Sequence, residues 1–406
     1  MTLQELFISL GFTQEKYQKI RSDHSIVSTT DNMIKQTLIR NYNWFLSLGY
    51  TKEEINKMIK KLPSLCSRTI ENMQSKIDNL ISLGYTKEQS IEMVKSLPMI
   101  LGYSKKSFQE KIEYLISLGY TKSEVIKMTT SQPSINSYSK ENIDKKIKGL
   151  IGLGYTYDEV IKITKSQPSI FNISIGNIKQ KINDMINLGY TPEETLKITK
   201  RFPQIYTYSI DNIKEKIDDM TLLGYTKEDI INMTKKSPHI YSLSTDNISN
   251  KMEEIMKLGY SYKEIIYMIK VLPAILSYSI ESMKEKIVNI MALGYTYEEV
   301  INMTKLLPTL YGFSIENITK KIEFYDSINM HDIAIVSTRQ LMQSVELSYA
   351  RYYFYQAKGV EINMTSYSKM FESERIFKRK HGITNKKLIE IYNYNDYLLQ
   401  QKTKTC

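Results

Sequence analysis

The sequence predicts an all-α solenoid of tandem two-helix repeats, wound to the right or to the left, and three observations carry that prediction. A Leu-Gly-Tyr-Thr phrase, or a close variant, recurs with its glycines at Gly49, Gly84, Gly119, Gly154, Gly189, Gly224, Gly259 and Gly294, each 35 residues from the last. Eight prolines keep the same interval, at Pro63, Pro98, Pro133, Pro168, Pro203, Pro238, Pro273 and Pro308, and only Pro192 stands off it. At 406 residues the chain is too long for one ordinary compact core, whereas a repeat array buries each unit only against its neighbours.

The first helix of each repeat is expected to begin at the Thr or Ser after Leu-Gly-Tyr. Thr51 with Glu54, Thr121 with Glu124, Thr156 with Glu159, Thr191 with Glu194, Ser261 with Glu264 and Thr296 with Glu299 are capping boxes, in which the hydroxyl takes one orphan amide and the Glu another. Pro192 falls at the first helical position, where its missing N–H costs nothing. The helix stops at the repeat proline, and a short irregular piece follows.

A second helix then starts at Thr69, Ser104, Ser139, Ser174, Ser209, Ser244, Ser279 or Ser314. Apolar residues before and four after the cap, such as Tyr208 and Ile213, form a hydrophobic staple. Ile213, Ile217, Met220 and Leu223 share one helical face and read as core. The helix ends at the next Gly in a left-handed conformation, with Tyr50, Tyr85, Tyr120, Tyr155, Tyr190, Tyr225, Tyr260 or Tyr295 as packing partner; base stacking is the weaker reading of these tyrosines.

The ends differ. Around Ser25 the expected proline is missing, and after Pro308 the sequence Ile328-Asn329-Met330 replaces Leu-Gly-Tyr. The expected organisation is an irregular N-terminal capping region over 1–48, an eight-repeat array over 49–330 and a basic helical C-terminal capping segment over 331–406. That last segment holds 12 Lys and Arg against 7 Asp and Glu.

The chain's 55 Lys and Arg exceed its 44 Asp and Glu, a net charge of +11 that points to an anionic partner such as nucleic acid or a membrane surface. Cys66 and Cys406 are far apart, have no zinc spacing and favour a reducing compartment. No run approaches a membrane span. Glu5 and Glu15 interrupt any transit-peptide pattern, so the expectation is a cytoplasmic protein.

One position stands out for function. The second helix carries a lysine in every full repeat: Lys76, Lys111, Lys146, Lys181, Lys216, Lys251, Lys286 and Lys321. It falls at the edge of the apolar stripe, beside residues such as Asn142 and Asn177. Repeats packed roughly 10 Å apart would turn it into a row of charge suited to a phosphate backbone. The alternative is that its stem covers apolar edge while its charge meets a neighbouring carboxylate.

A second lysine recurs three residues before the proline, at Lys60, Lys95, Lys165, Lys200, Lys235, Lys270 and Lys305, with Thr130 the exception. The helix dipole alone favours a cation there. Ser64, Met99, Ser134, Ser169, Gln204, His239, Ala274 and Thr309, just after the proline, vary most and read as unconstrained surface or, less favoured, as a sequence-reading position. Arg375, Lys378, Arg379, Lys380, Lys386 and Lys387 form a local positive patch, solvated by default and able to extend a nucleic-acid footprint. His24, His239, His331 and His381 show no metal-ligand spacing, and no catalytic constellation, phosphate loop or cofactor motif appears. The expectation is a monomeric non-enzyme, without metal or cofactor.

The repeat from Leu223 to Ile248 resembles that of the mitochondrial transcription termination factor (mTERF) family, with its Leu-Gly pair, short helix, Pro followed by an apolar residue, Ser cap and longer helix. Pentatricopeptide repeats share the length but place Gly and Pro close together, whereas Gly224 and Pro238 are 14 apart. Glu346 to Phe377 resembles the family's terminal unit, with Ser368 and Phe371 in its closing element. The resemblance implies a curved superhelix whose basic groove binds duplex DNA along its backbone, some members acting on RNA or ribosomes, and a role in regulating transcription. An RNA binder and a protein-binding scaffold are the alternatives on the same framework.

Overall fold

A computed structural model describes residues 1–23 and 26–394, and among them every regular element is helical. Ser25, where the missing proline was noted, and Cys406 lie outside the described residues. The chain divides into two compact bodies, Met1–Ile210 and Asp211–Cys406. Within each, the fold is an all-α repeat array.

Each full repeat is helix, 3₁₀ turn, helix. In the repeat beginning at Gly119 these are Lys122–Ser131, Pro133–Ser137 and Lys140–Gly152. The piece expected to be irregular is therefore a 3₁₀ turn, opened by the proline at its first position. Proline has no N–H to offer there and its φ suits the turn. Ile135 of this turn is fully buried, so the segment is part of the core.

The capping boxes form as expected, with Thr121 Oγ1 accepting from the Glu124 amide at 3.3 Å and Glu124 accepting from the Thr121 amide at 2.9 Å. Thr86 with Gln89 and Thr226 with Asp229 are two more. At the helix ends, Gly84 has φ +110°, and the Tyr85 amide reaches the Leu80 carbonyl. This closes the helix and folds Tyr85 into the core.

Where Gly is lost, Asn329 takes the left-handed position at φ 55°, and the Met330 amide bonds to the Tyr325 carbonyl in the same pattern. Asn tolerates this conformation better than other non-glycine residues. The helix–turn–helix order continues past residue 330 through Ile333–Val336, Thr338–Met342 and Val345–Ala357. At the other end, Leu3–Ser9, Gln14–Arg21 and Asp31–Ser47 precede the first full repeat.

Two ladders of side chains link one repeat to the next. The lysine before the proline pairs with the capping-box carboxylate of the preceding repeat: Lys95 with Glu54 at 2.8 Å, Lys165 with Glu124 at 2.8 Å, Lys200 with Glu159 at 2.7 Å, Lys270 with Asp229 at 2.8 Å and Lys305 with Glu264 at 3.0 Å. The exception explains itself. Thr130 replaces the lysine where the preceding capping residue is the neutral Gln89, so the charge is missing from both partners together. In the second ladder the repeat tyrosine donates its hydroxyl to a threonine of the next repeat, as Tyr120 does to Thr164 at 2.5 Å. Thr164 has already given its own proton to the Val160 carbonyl.

The first ladder makes stability depend on acid. Glu54, Glu124 and Glu159 are held below the usual carboxylate range, first by the lysine and then by the cap amide. A carboxyl with a depressed folded pKa stabilises the fold above its unfolded pKa of about 4.3 and loses that contribution as pH falls through the folded value. Melting temperature should therefore decline below about pH 4.3. Glu124→Gln keeps the cap acceptor but not the charge, so its acid decline should be shallower; an unchanged profile would count against the ladder.

Candidate nucleic-acid interface

The edge lysines lie on the second helices where the sequence places them, but they do not stand as a row open to solvent. Lys111, Lys181 and Lys321 are only 8%, 8% and 4% exposed. Six of the eight ammonium groups donate to a backbone carbonyl farther along the chain: Lys76 to Tyr103, Lys111 to Tyr138, Lys146 to Ile173, Lys181 to Tyr208, Lys286 to Phe313 and Lys321 to Leu341. Where the partner lies in a full repeat it is the residue just before the next second-helix cap. Lys216 instead bonds to Thr245 at 3.0 Å and lies 4.0 Å from Asp219, while Lys251 meets Glu254 at 3.4 Å.

The edge of the stripe thus faces the next repeat, and the lysine ties the two second helices together. Burial pushes the ammonium pKa down at Lys111, Lys146, Lys216, Lys286 and Lys321. Each of the ties at Lys111, Lys286 and Lys321 still lines a surface cleft. Beside Lys111 the cleft holds Ser139 and Lys140, at the N-terminus of the next second helix. Helix amides and an ammonium together favour an anion. An ammonium has three donors, and the carbonyl takes one.

The other sequence candidates separate cleanly. Lys95, Lys165, Lys200, Lys270 and Lys305 are engaged in the ion-pair ladder, while Lys60 lies 5.7 Å from the Phe12 ring centre. All eight repeat tyrosines are buried, so they pack and do not present a face to bases. After the proline, Met99, Gln204 and His239 are exposed, whereas Ser134 hydrogen-bonds to Asn172 at 3.0 Å.

Arg375, Lys378, Arg379 and Lys380 are all exposed on the helix Glu374–His381, Lys380 also bonded to Glu372 at 2.5 Å. Lys386 and Lys387 are exposed on Asn385–Ile391. What the sequence reading missed is the residue that seats this patch. Arg351 is 1% exposed and donates to the Met370 carbonyl at 2.9 Å, to the Glu372 carbonyl and to Asn385 Oδ1 at 2.8 Å. Its guanidinium lies 4.6 Å from the centre of the Phe377 ring.

Among the described residues no group of three or more His, Cys, Asp or Glu could hold a metal ion, and no helix is long and apolar enough to cross a membrane. His24 lies outside the described residues. His331 stacks on Tyr295 with ring centres 4.4 Å apart and meets Asp326 at 2.5 Å, while His381 bonds to Tyr355 at 3.1 Å. Cys66 is buried and its thiol is pushed up to about 12 by burial.

A family model described as mTERF matches the chain over residues 4–117, 104–221 and 220–372. No curated protein matches it.

Proposed function

The chain belongs to the mTERF family of nucleic-acid-binding helical-repeat proteins, and from that premise we propose that it binds duplex DNA along the phosphate backbone and so regulates transcription. The observation that carries the reading is the recurring cleft in which an edge lysine meets the capped N-terminus of the next second helix. Three such clefts, at Lys111, Lys286 and Lys321, suit a ligand whose charge repeats along its length. The edge lysines enter as contacts from the cleft rim, through donors their carbonyl partners leave over. The exposed Arg375, Lys378, Arg379 and Lys380 extend the footprint.

The test is a titration against random duplex DNA, duplex RNA and single strands at several salt concentrations. Wild type should prefer duplex DNA and show a steep salt slope, because each neutralised phosphate contributes about −0.9 to it. A variant carrying Lys111→Ala, Lys146→Ala and Lys181→Ala should lower the slope by up to about three units and the melting temperature as well. A lower melting temperature with an unchanged slope would leave these lysines as ties alone. Preference for RNA would move the reading to RNA, and no nucleic-acid binding would overturn it.

A further inference from the structure

The ion-pair ladder has one inverted rung. Glu54, Glu124, Glu159, Asp229 and Glu264 each stand three residues after a first-helix cap and meet a lysine of the next repeat, 41 residues on. The N-terminal unit puts Lys16 at that position, three residues after the cap Thr13. Its counterpart is Lys60. The interval from Gly11 to Gly49 is 38 residues instead of 35, so the separation becomes 44. Where the other rungs hold an ion pair, this one holds two ammonium groups.

A lysine is the wrong residue there on three counts. Thr13 Oγ1 still accepts from the Lys16 amide at 3.3 Å, but a lysine has no acceptor to return to the Thr13 amide. A cation in the first turn opposes the helix dipole. Facing like charges destabilise by about as much as opposite charges stabilise. Desolvation, and then the charge of Lys16, hold the Lys60 ammonium below the usual lysine range. A carboxylate would serve cap, dipole and ladder together, as Glu54 does.

The two ammonium groups are not alone. Lys19 and Lys61 line the same cleft, about 330 Å³ in volume, together with Ile20, Asp23 and Pro63. Lys16 and Lys19 are i and i+3 on the helix Gln14–Arg21 and so share a face. All four lysines are exposed, and among the described residues none of them makes an ion pair. Four ammonium groups thus surround a cleft with one carboxylate on its rim. Lys61 gives a donor to the Ser96 carbonyl at 3.1 Å, and the Phe12 ring centre lies 5.7 Å from Lys60. Each ammonium has three donors, so these contacts steady the cluster and leave donors over.

We propose that this cleft is a phosphate site, in which Lys16 and Lys60 bridge one phosphate group and Lys19 and Lys61 close on it from the rim. A multiply charged oxyanion turns the repulsion between the lysines into shared attraction and offers each an acceptor. The same chemistry is presented by a nucleic-acid strand and by free phosphate. The site is separate from the second-helix clefts, and inorganic phosphate alone tests it.

The experiment titrates the full chain with inorganic phosphate by calorimetry, in chloride buffer at constant ionic strength. Wild type stands beside Lys16→Glu and beside Lys105→Glu, which reverses the charge of an exposed lysine outside the cleft. Lys16→Glu restores the ladder pair with Lys60, so it should melt no lower than wild type while its phosphate affinity falls about tenfold or more. Lys105→Glu should change that affinity less than about twofold, because an exposed distant charge is screened. Phosphate should slow hydrogen exchange in Gln14–Arg21 and Lys52–Lys61 of wild type and not of Lys16→Glu. A duplex-DNA titration of the same three proteins identifies the source. Duplex affinity lost in Lys16→Glu well beyond Lys105→Glu assigns the phosphate to the strand, and unchanged duplex affinity with inorganic phosphate binding lost assigns it to free phosphate. If neither probe shows a loss specific to Lys16→Glu, the cleft is not a phosphate site, whatever the chain's affinity for DNA.

Discussion

Arg351→Ala is expected to destabilise the C-terminal segment by about 3–5 kcal/mol, from the lost side-chain volume and from the donor taken from the Glu372 carbonyl and Asn385, the Met370 carbonyl keeping Gln343 at 3.2 Å. Arg351 joins the helix Val345–Ala357 to the turn Tyr367–Phe371, to Glu372 and to the helix Asn385–Ile391, and among the described residues no other side chain reaches the Met370 and Glu372 carbonyls together with Asn385. Burial works against its charge, and its three acceptors together with the Phe377 face offset that cost. Arg351→Lys should recover less than half of the loss, because a single ammonium cannot replace a planar fork that serves three acceptors. Hydrogen exchange should show the effect confined to residues from about 345 onward. Uniform loss across the first body, or full rescue by lysine, would mean that the fork geometry is not what holds the segment. The variant also bears on function, since Arg375, Lys378, Arg379 and Lys380 sit on a helix whose buried Phe377 packs against this guanidinium.

The local chemistry of this fold was legible in the sequence, and the chemistry between repeats was not. Capping boxes and Gly-closed helix ends are written within a few residues, so Thr121 with Glu124 and Gly84 before Tyr85 could be read directly. Asn329 was the harder case, because a left-handed Asn looks like a lost glycine until its φ is known. The helical wheel put the edge lysines correctly at the border of the apolar stripe. It could not say whether that border faces solvent or the next repeat, and Lys111 shows that it faces the next repeat. The ion-pair ladder left one trace that a sequence reading can use: the only repeat with Gln89 in place of an acidic cap residue is followed by the only repeat with Thr130 in place of lysine. Arg351 left no such trace, since a single buried arginine has no repeat to be compared with.

The hydroxyl ladder gives the second large effect, and it comes with its own control. Tyr85, Tyr120, Tyr155 and Tyr260 each bond to a threonine 44 residues on, at 2.7, 2.5, 2.5 and 2.6 Å. At three positions the threonine is absent, and at one of them Tyr295, with Arg339 44 residues on, turns its hydroxyl to the His331 carbonyl at 3.0 Å. Val94 stands opposite Tyr50, whose hydroxyl turns to the Ile91 carbonyl at 2.7 Å, and Ile269 stands opposite Tyr225, whose buried hydroxyl has no partner among the described residues. A buried hydroxyl without a partner costs about 1–3 kcal/mol, while a made bond contributes about 1 kcal/mol. Tyr120→Phe should therefore destabilise by about 1–1.5 kcal/mol, and Tyr225→Phe should be neutral or stabilising by about 1 kcal/mol or more. Identical chemistry at equivalent positions would then have opposite sign, which side-chain packing alone does not produce. Ile269→Thr supplies the missing acceptor at the cost of some apolar volume, so its own effect is small in either direction. In that background Tyr225→Phe should become destabilising, and the denaturant midpoints of the four members of this cycle would measure the coupling directly. If Tyr225→Phe keeps the same sign in the Ile269→Thr background as in the wild type, the tyrosines hold the repeats together by packing, and the hydroxyls contribute nothing to the link.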